Sequence, residues 1–194
     1  MKKLSVVLIM LVGGIAFASS LSIPWYVDNA ASNTGLPPVA AVNAGMSIIY
    51  LKSTILDPVV CYIEYFNENG VSLGPDAPNN TFVIAPQAAL GFRPVAADAS
   101  NSVPAFAGDP NPTRYQYGQE GAAGYAVPNR PRSVDTTTNV PGRTFVDTKK
   151  NGSITITWLN AGPTAVQGSQ NAYAANLAGS IVSFSHLLPP GAGN

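Results

Sequence analysis

Gly152-Ser153-Ile154-Thr155-Ile156-Thr157-Trp158 alternates polar and apolar residues without a break. In an extended chain successive side chains leave opposite faces, so Ile154, Ile156 and Trp158 share one face and Ser153, Thr155 and Thr157 the other. One face meets a core and the other meets water, as in an antiparallel sheet packed on one side only. Trp158, in phase with the two isoleucines, reads as a core residue.

Segments of the same kind recur on both sides of this stretch. Ser47 to Lys52 is a β-rich run ending near Asp57-Pro58, and Val59 to Phe66 follows it. Asn67-Glu68-Asn69-Gly70 then makes a turn, with Asn-Gly as the local signal. After a loop from Pro75 to Asn80, Thr81 to Ile84 and Ala89 to Arg93 predict a hairpin across Pro86-Gln87. The last strand runs from Ser180 to Leu188, with Val182, Phe184 and Leu188 on one side, and Ile23 to Val27 adds an N-terminal strand. No long stretch has an amphipathic helical period; Ala172 to Leu177 is at most one short helix. Six or seven short strands without alternating helices predict an all-β fold, an antiparallel β-sandwich. Between the strands lies a long Pro/Gly/Asn-rich insert, residues 96–150. A loop of that length is uncommon inside a domain and is usually functional or mobile.

The N-terminus predicts export. Lys2 and Lys3 form a charged start, Leu4 to Ile15 an apolar run, and Ala16 and Ala18 the small residues that a signal peptidase reads, so residues 1–18 read as a signal peptide cleaved after Ala18. The run is shorter than the roughly 20 residues that span a bilayer as a helix, and no later segment approaches that length. Taking 18 from 194 leaves 176 residues, enough for a single domain, residues 19–194. Eight of the 10 basic residues then remain against 10 acidic ones, a balance of −2 that gives no electrostatic case for nucleic acid or anionic lipid.

Residues that could carry chemistry are sparse. Cys61 is the only cysteine, so no intramolecular disulfide forms, and its place in phase with Val59, Ile63 and Tyr65 reads as a small buried hydrophobe. His186 is the only histidine. It is expected at the rim of the final strand, on the side of Phe184 and Leu188, and no Gly-x-Ser-x-Gly elbow accompanies it. Glu64, between Tyr62 and Phe66, reads as the polar member of a half-exposed sheet face. The oxygens of Asp109-Pro110-Asn111 and of Asp76 with Asn79 and Asn80 form no spaced calcium loop. The reading is therefore a protein with no catalytic set, no cofactor and no metal. The insert carries Arg114, Tyr115, Tyr117, Tyr125, Arg130 and Arg132, residue types that anchor contact surfaces. They either form a partner surface or pin the insert to its own sandwich.

One layout is familiar. Ile48 to Lys52 leads to Cys61-Tyr62-Ile63-Glu64-Tyr65-Phe66, then Gly70 and Gly74-Pro75; Phe82-Val83-Ile84-Ala85-Pro86 and Phe92-Arg93 follow, and later Gly162-Pro163-Thr164-Ala165-Val166-Gln167. This resembles the small β-sandwich modules typified by the sensory rhodopsin transducer family, and similar modules of exported bacterial proteins. The resemblance implies a compact sandwich that binds partners, forms oligomers and has no catalytic residues. The signal peptide, the N-terminal extension and the insert depart from it. The expectation is a secreted protein of the cell surface or periplasm that works by binding or by assembling, as a homo-oligomer or part of a surface assembly. A carbohydrate-binding or carbohydrate-cleaving protein using Glu64 and exposed aromatics is the alternative. No nucleic-acid partner is expected, and no integral membrane segment after cleavage.

Overall fold

The structure is a computed structural model. It describes residues 18–28, 45–94, 96–97, 116–117, 127–131, 151–159, 161–175 and 181–191. These residues are all-β, arranged as two antiparallel sheets and one short parallel pair. The strands are β1 (Ala18–Val27), β2 (Gly45–Ser53), β3 (Val59–Asn67), β4 (Ser72–Gly74), β5 (Thr81–Ile84), β6 (Ala89–Phe92), β7 (Ala96–Ala97), β8 (Gln116–Tyr117), β9 (Arg130–Pro131), β10 (Asn151–Leu159), β11 (Val166–Ala175), β12 (Ile181–Leu188) and β13 (Pro190–Gly191). One 3₁₀ turn, Pro163–Ala165, precedes β11. No described helix is long and apolar enough to cross a membrane.

Sheet A runs β13-β1-β10-β3, and both β4 and β5 pair with β3. The alternation at Gly152–Trp158 places β10 in its middle. Ile154 lies opposite Ile23 and Tyr65, Ile156 opposite Leu21 and Ile63, and Trp158 opposite Cys61. All of these side chains are buried. Trp158 donates its indole N–H to the Gly162 carbonyl at 3.1 Å, so the largest core side chain leaves no polar atom unpaired. Gly152 has a steric role, because a Cβ there would fall on the Phe66 carbonyl of β3.

Sheet B runs β12-β11-β2-β6-β8. Its inward residues Ile49, Leu51, Leu90, Phe92 and Val166 join those of sheet A in one hydrophobic core. β11 contains few residues that favour strands, yet it pairs along its length with both β2 and β12. Small residues are what the intersheet space allows: a Cβ on Gly168 would run into Leu21 and Leu188.

Two expectations from sequence are corrected here. Thr81 to Ile84 and Ala89 to Arg93 do not form a hairpin. β5 pairs with β3 in sheet A and β6 with β2 in sheet B, so the turn at Pro86-Gln87 carries the chain from one sheet to the other. Phe82 and Ile84 on one side, and Leu90 and Phe92 on the other, then enter the same core from opposite sheets. Nor is Ala172 helical: it lies in β11, where its pairing with Ser47 and Phe184 overrides the propensity of an Ala-rich run. The Asn67–Gly70 turn forms as expected. Gly70 takes a positive φ of 76°, and the Asn67 side chain accepts from the amides of Asn69 and Val71 at 2.9 Å each.

Short pieces of the 96–150 insert join this body. β7 pairs with β9 in parallel, and β8 pairs with β6. Val127 is part of the core, and Tyr65 donates its hydroxyl to the Pro128 carbonyl at 2.8 Å.

Candidate functional site

β12, one of the longer described strands, is paired along one side only. Paired with β11 alone among the described strands, it forms the edge of sheet B. Its pairing sets Val182 opposite Ala174, Phe184 opposite Ala172, His186 opposite Gln170 and Leu188 opposite Gly168, so these four even-numbered residues share the face turned toward sheet A. Only Leu188, close to Leu21, is covered; Val182 and Phe184 are 63% and 64% exposed. The reason lies in sheet A. β13 pairs only with Ser20 and Leu21, and no described strand flanks β1 on that side beyond them. The two sheets are closed at the Leu188 end and open at the Val182 end.

The opening is an apolar cleft of about 660 Å³. β1 contributes Pro24, Trp25 and Val27, β2 contributes Met46 and Ser47, and β11 and β12 supply the remaining wall with Gln170, Ala172, Phe184 and His186. Trp25 is half-exposed, and its position follows from local sequence. Ile23 pairs with Ile154 and Tyr26 with Gly152, so β1 carries one extra residue at Pro24-Trp25. Such a bulge re-aims the chain, and Pro24 has no N–H to give to a ladder. The Trp25 carbonyl accepts from Gln170 Nε2, which also donates to Ser47 Oγ at 3.2 Å, and Ser47 Oγ accepts from the Val27 amide at 3.1 Å. Gln170 and Ser47 thus tie the two sheets together beside the cleft. The His186 ring is exposed and lies nearly parallel to Phe184, with centroids 6.4 Å apart.

A charged cluster lies elsewhere in the intersheet space. Asp28 follows β1 and bridges to Met46 of β2. Its carboxylate accepts from Arg93 Nε and lies 4.0 Å from Arg130 Nη2. The Arg130 guanidinium also stands 5.7 Å from the centre of the Tyr26 ring, which meets Tyr65 edge-on. Burial raises the Tyr65 phenol well above its usual range, with the neighbouring Tyr26 adding to the effect.

Of the six residues expected as partner contacts, Arg130 alone has a described side chain. It is fully buried and held by Asp28, which corrects its assignment to a contact surface. Tyr117 has a described backbone in β8, and Arg114, Tyr115, Tyr125 and Arg132 lie outside the described residues. Cys61 is buried, and burial pushes its thiol up to about 12. Glu64 is exposed on the outer face of sheet A, where it accepts from the Ser72 hydroxyl at 2.6 Å. Among the described residues no group of three or more His, Cys, Asp or Glu comes together as a metal site. Gln170 and Ser47 were not legible as site residues, because a polar residue within a strand reads as an outward one.

A second, shallower groove of about 400 Å³ lies on the outer face of sheet B, bordered by Tyr50, Lys52, Gln167, Ser169 and Leu187. Comparison with known proteins returns nothing: no family model, no curated protein and no solved structure matches the chain.

Proposed function

We propose that this chain is an exported, non-catalytic antiparallel β-sandwich that works by self-assembly at the cell surface or in the periplasm, through strand addition at β12. One observation carries the reading: an eight-residue edge strand, Ile181–Leu188, that contains no charged residue and leaves Val182, Phe184 and Leu187 largely exposed. Natural edge strands are usually blunted by lysine, proline, bulges or short length, and β12 has none of these. A second copy adding its own β12 antiparallel would continue sheet B. A two-fold arrangement can keep the inward face inward, and one register that does so sets Phe184 against Phe184 of the second copy and Val182 against His186. Backbone hydrogen bonds supply affinity in such pairings, and the alternate side chains supply register. The low net charge of the mature chain offers little repulsion between copies.

The test is size-exclusion chromatography with light scattering over a concentration series. Wild-type protein should associate, and Val182→Lys with Leu187→Lys should stay monomeric with an unchanged melting temperature, since both side chains are exposed. A wild-type chain that remains monomeric at high concentration refutes the reading. Carbohydrate binding is the second reading, supported by Tyr50, Lys52 and Gln167 around the outer groove. A glycan array with Tyr50→Ala as control tests it.

A further inference from the structure

Building on the carbohydrate reading of the outer groove of sheet B, we infer that its ligand is an acidic saccharide, a pyranose bearing a carboxylate, as in a uronic acid. Two outward rows of side chains build the groove. One crosses the sheet as Gly91, Tyr50, Ser169 and Leu187, and the other as Ala89, Lys52 and Gln167. Alternate residues stand about 7 Å apart along a strand, so one sugar ring with its hydroxyls reaches both rows. The space, about 400 Å³, lies within the range of small-molecule sites.

Tyr50 supplies a seated aromatic ring. A Cβ on Gly91 would stand 2.9 Å from its Cδ1 and Cε1, so the edge of the ring fills the place of a side chain on β6, and the residue stays 38% exposed. The negative face of an aromatic ring attracts the weakly positive C–H groups on one side of a pyranose. Polar groups stand beside it unused. The Lys52 ammonium, the Gln167 amide and the Ser169 hydroxyl make no hydrogen bond with a described residue, whereas Gln170 and Ser47, on the inner face of the same strands, are bonded to each other. Sugar hydroxyls donate and accept, and so suit all three. Charge then selects among sugars. Lys52 is the only charged residue among the described ones that line the groove, and no Asp or Glu stands there. A carboxylate on the sugar gains the ammonium and meets no like charge, while an amino sugar would be repelled. A strand added to β12 extends sheet B sideways and leaves this outer face open.

The experiment is isothermal titration of the full mature chain with trigalacturonic acid and, separately, with its fully methyl-esterified form, which keeps the rings and loses the charge. The acid should bind about two- to fivefold more tightly at low salt, the worth of one solvent-exposed ion pair. That difference should vanish at about 1 M salt. Lys52→Gln should equalise the two compounds while both still bind. Tyr50→Ala should weaken both. Because Tyr50 also holds contacts within the fold, Ala89→Trp serves as a second variant: Ala89 is exposed opposite Lys52, and a bulky ring there should block both compounds without touching the core. Equal wild-type affinity for acid and ester, lost in Ala89→Trp, overturns the acidic class and leaves the carbohydrate reading standing. Binding of neither compound overturns both. Binding that survives Ala89→Trp places the sugar elsewhere and overturns the inference.

Discussion

Replacing Asp28 by alanine removes the carboxylate that faces two enclosed guanidinium groups. Arg93 loses the acceptor for its Nε, and Arg130 loses the carboxylate that lies 4.0 Å from its Nη2. All three residues are buried, so water does not readily take the place of the lost oxygen. Breaking a buried ion pair by deleting one partner costs about 3–5 kcal/mol, against a total stability of about 5–15 kcal/mol for a domain. Asp28→Ala should therefore remove a large share of the folding free energy, measured by urea unfolding at neutral pH. Asp28→Asn keeps an acceptor oxygen but not the charge, and should lose about half as much. Adding Arg93→Met to Asp28→Ala should recover stability, because the double variant no longer buries that cation beside an empty position. A loss below about 1 kcal/mol for Asp28→Ala would refute the reasoning, and would mean that the guanidiniums are solvated through other contacts. So would a double variant less stable than Asp28→Ala alone.

The alkaline limb of stability should be steep. The unfolded Cys61 thiol gives up its proton above pH 9.0 while the folded one holds it to about 12, so the unfolded state binds fewer protons between these values and stability falls as pH rises through them. At about pH 10.5 Cys61 alone should account for a loss of about 2 kcal/mol, seen by comparing urea midpoints with those at pH 8; Tyr65 adds to the loss from pH 10 upward. Gly152→Ala should cost about 3 kcal/mol in the same assay, because its Cβ would fall on the Phe66 carbonyl and force β10 away from β3. Replacing residues 96–150 with a Gly/Ser linker should lower stability by at least about 3 kcal/mol, through loss of buried Val127 and of Arg130 beside Asp28; a linker variant as stable as wild type would show that these contacts contribute nothing. Protein recovered from the host surface should begin at Ser19, read by intact mass.

The strands legible in the sequence are those whose side chains alternate in polarity. β10, β3 and β5 could be placed almost to the residue because isoleucine, valine, tyrosine and phenylalanine sit at every second position. β11 could not, since Gly168, Ala172 and Ala174 mark an inward face by smallness and carry no hydrophobic signal. Pairing partners were harder still. The short spacing of β5 and β6 reads as a hairpin, and only the shared core shows that the Pro86-Gln87 turn links two sheets. The cleft depends on how far the described strands of sheet A extend opposite Val182 and Phe184, and no local pattern records the extent of a neighbouring sheet. Arg130 illustrates the remaining difficulty: an arginine in a Pro-rich stretch reads as a surface anchor until its distance to Asp28 is known.

The seating of β1 bears on when this chain can fold. Ala18 pairs with Leu159, and Ser19 reaches the Ala161 carbonyl across 142 positions of sequence. The first of the described strands is thus locked in place by β10 and β13, which are among the last of them. Until synthesis has passed residue 159, Leu21, Ile23 and Tyr26 have no sheet to enter, and local turns cannot substitute for it. Contacts so distant in sequence make closure slow. β2 with β6, and β3 with β5, can pair early, but the closing of sheet A over β1 waits on the second half of the chain.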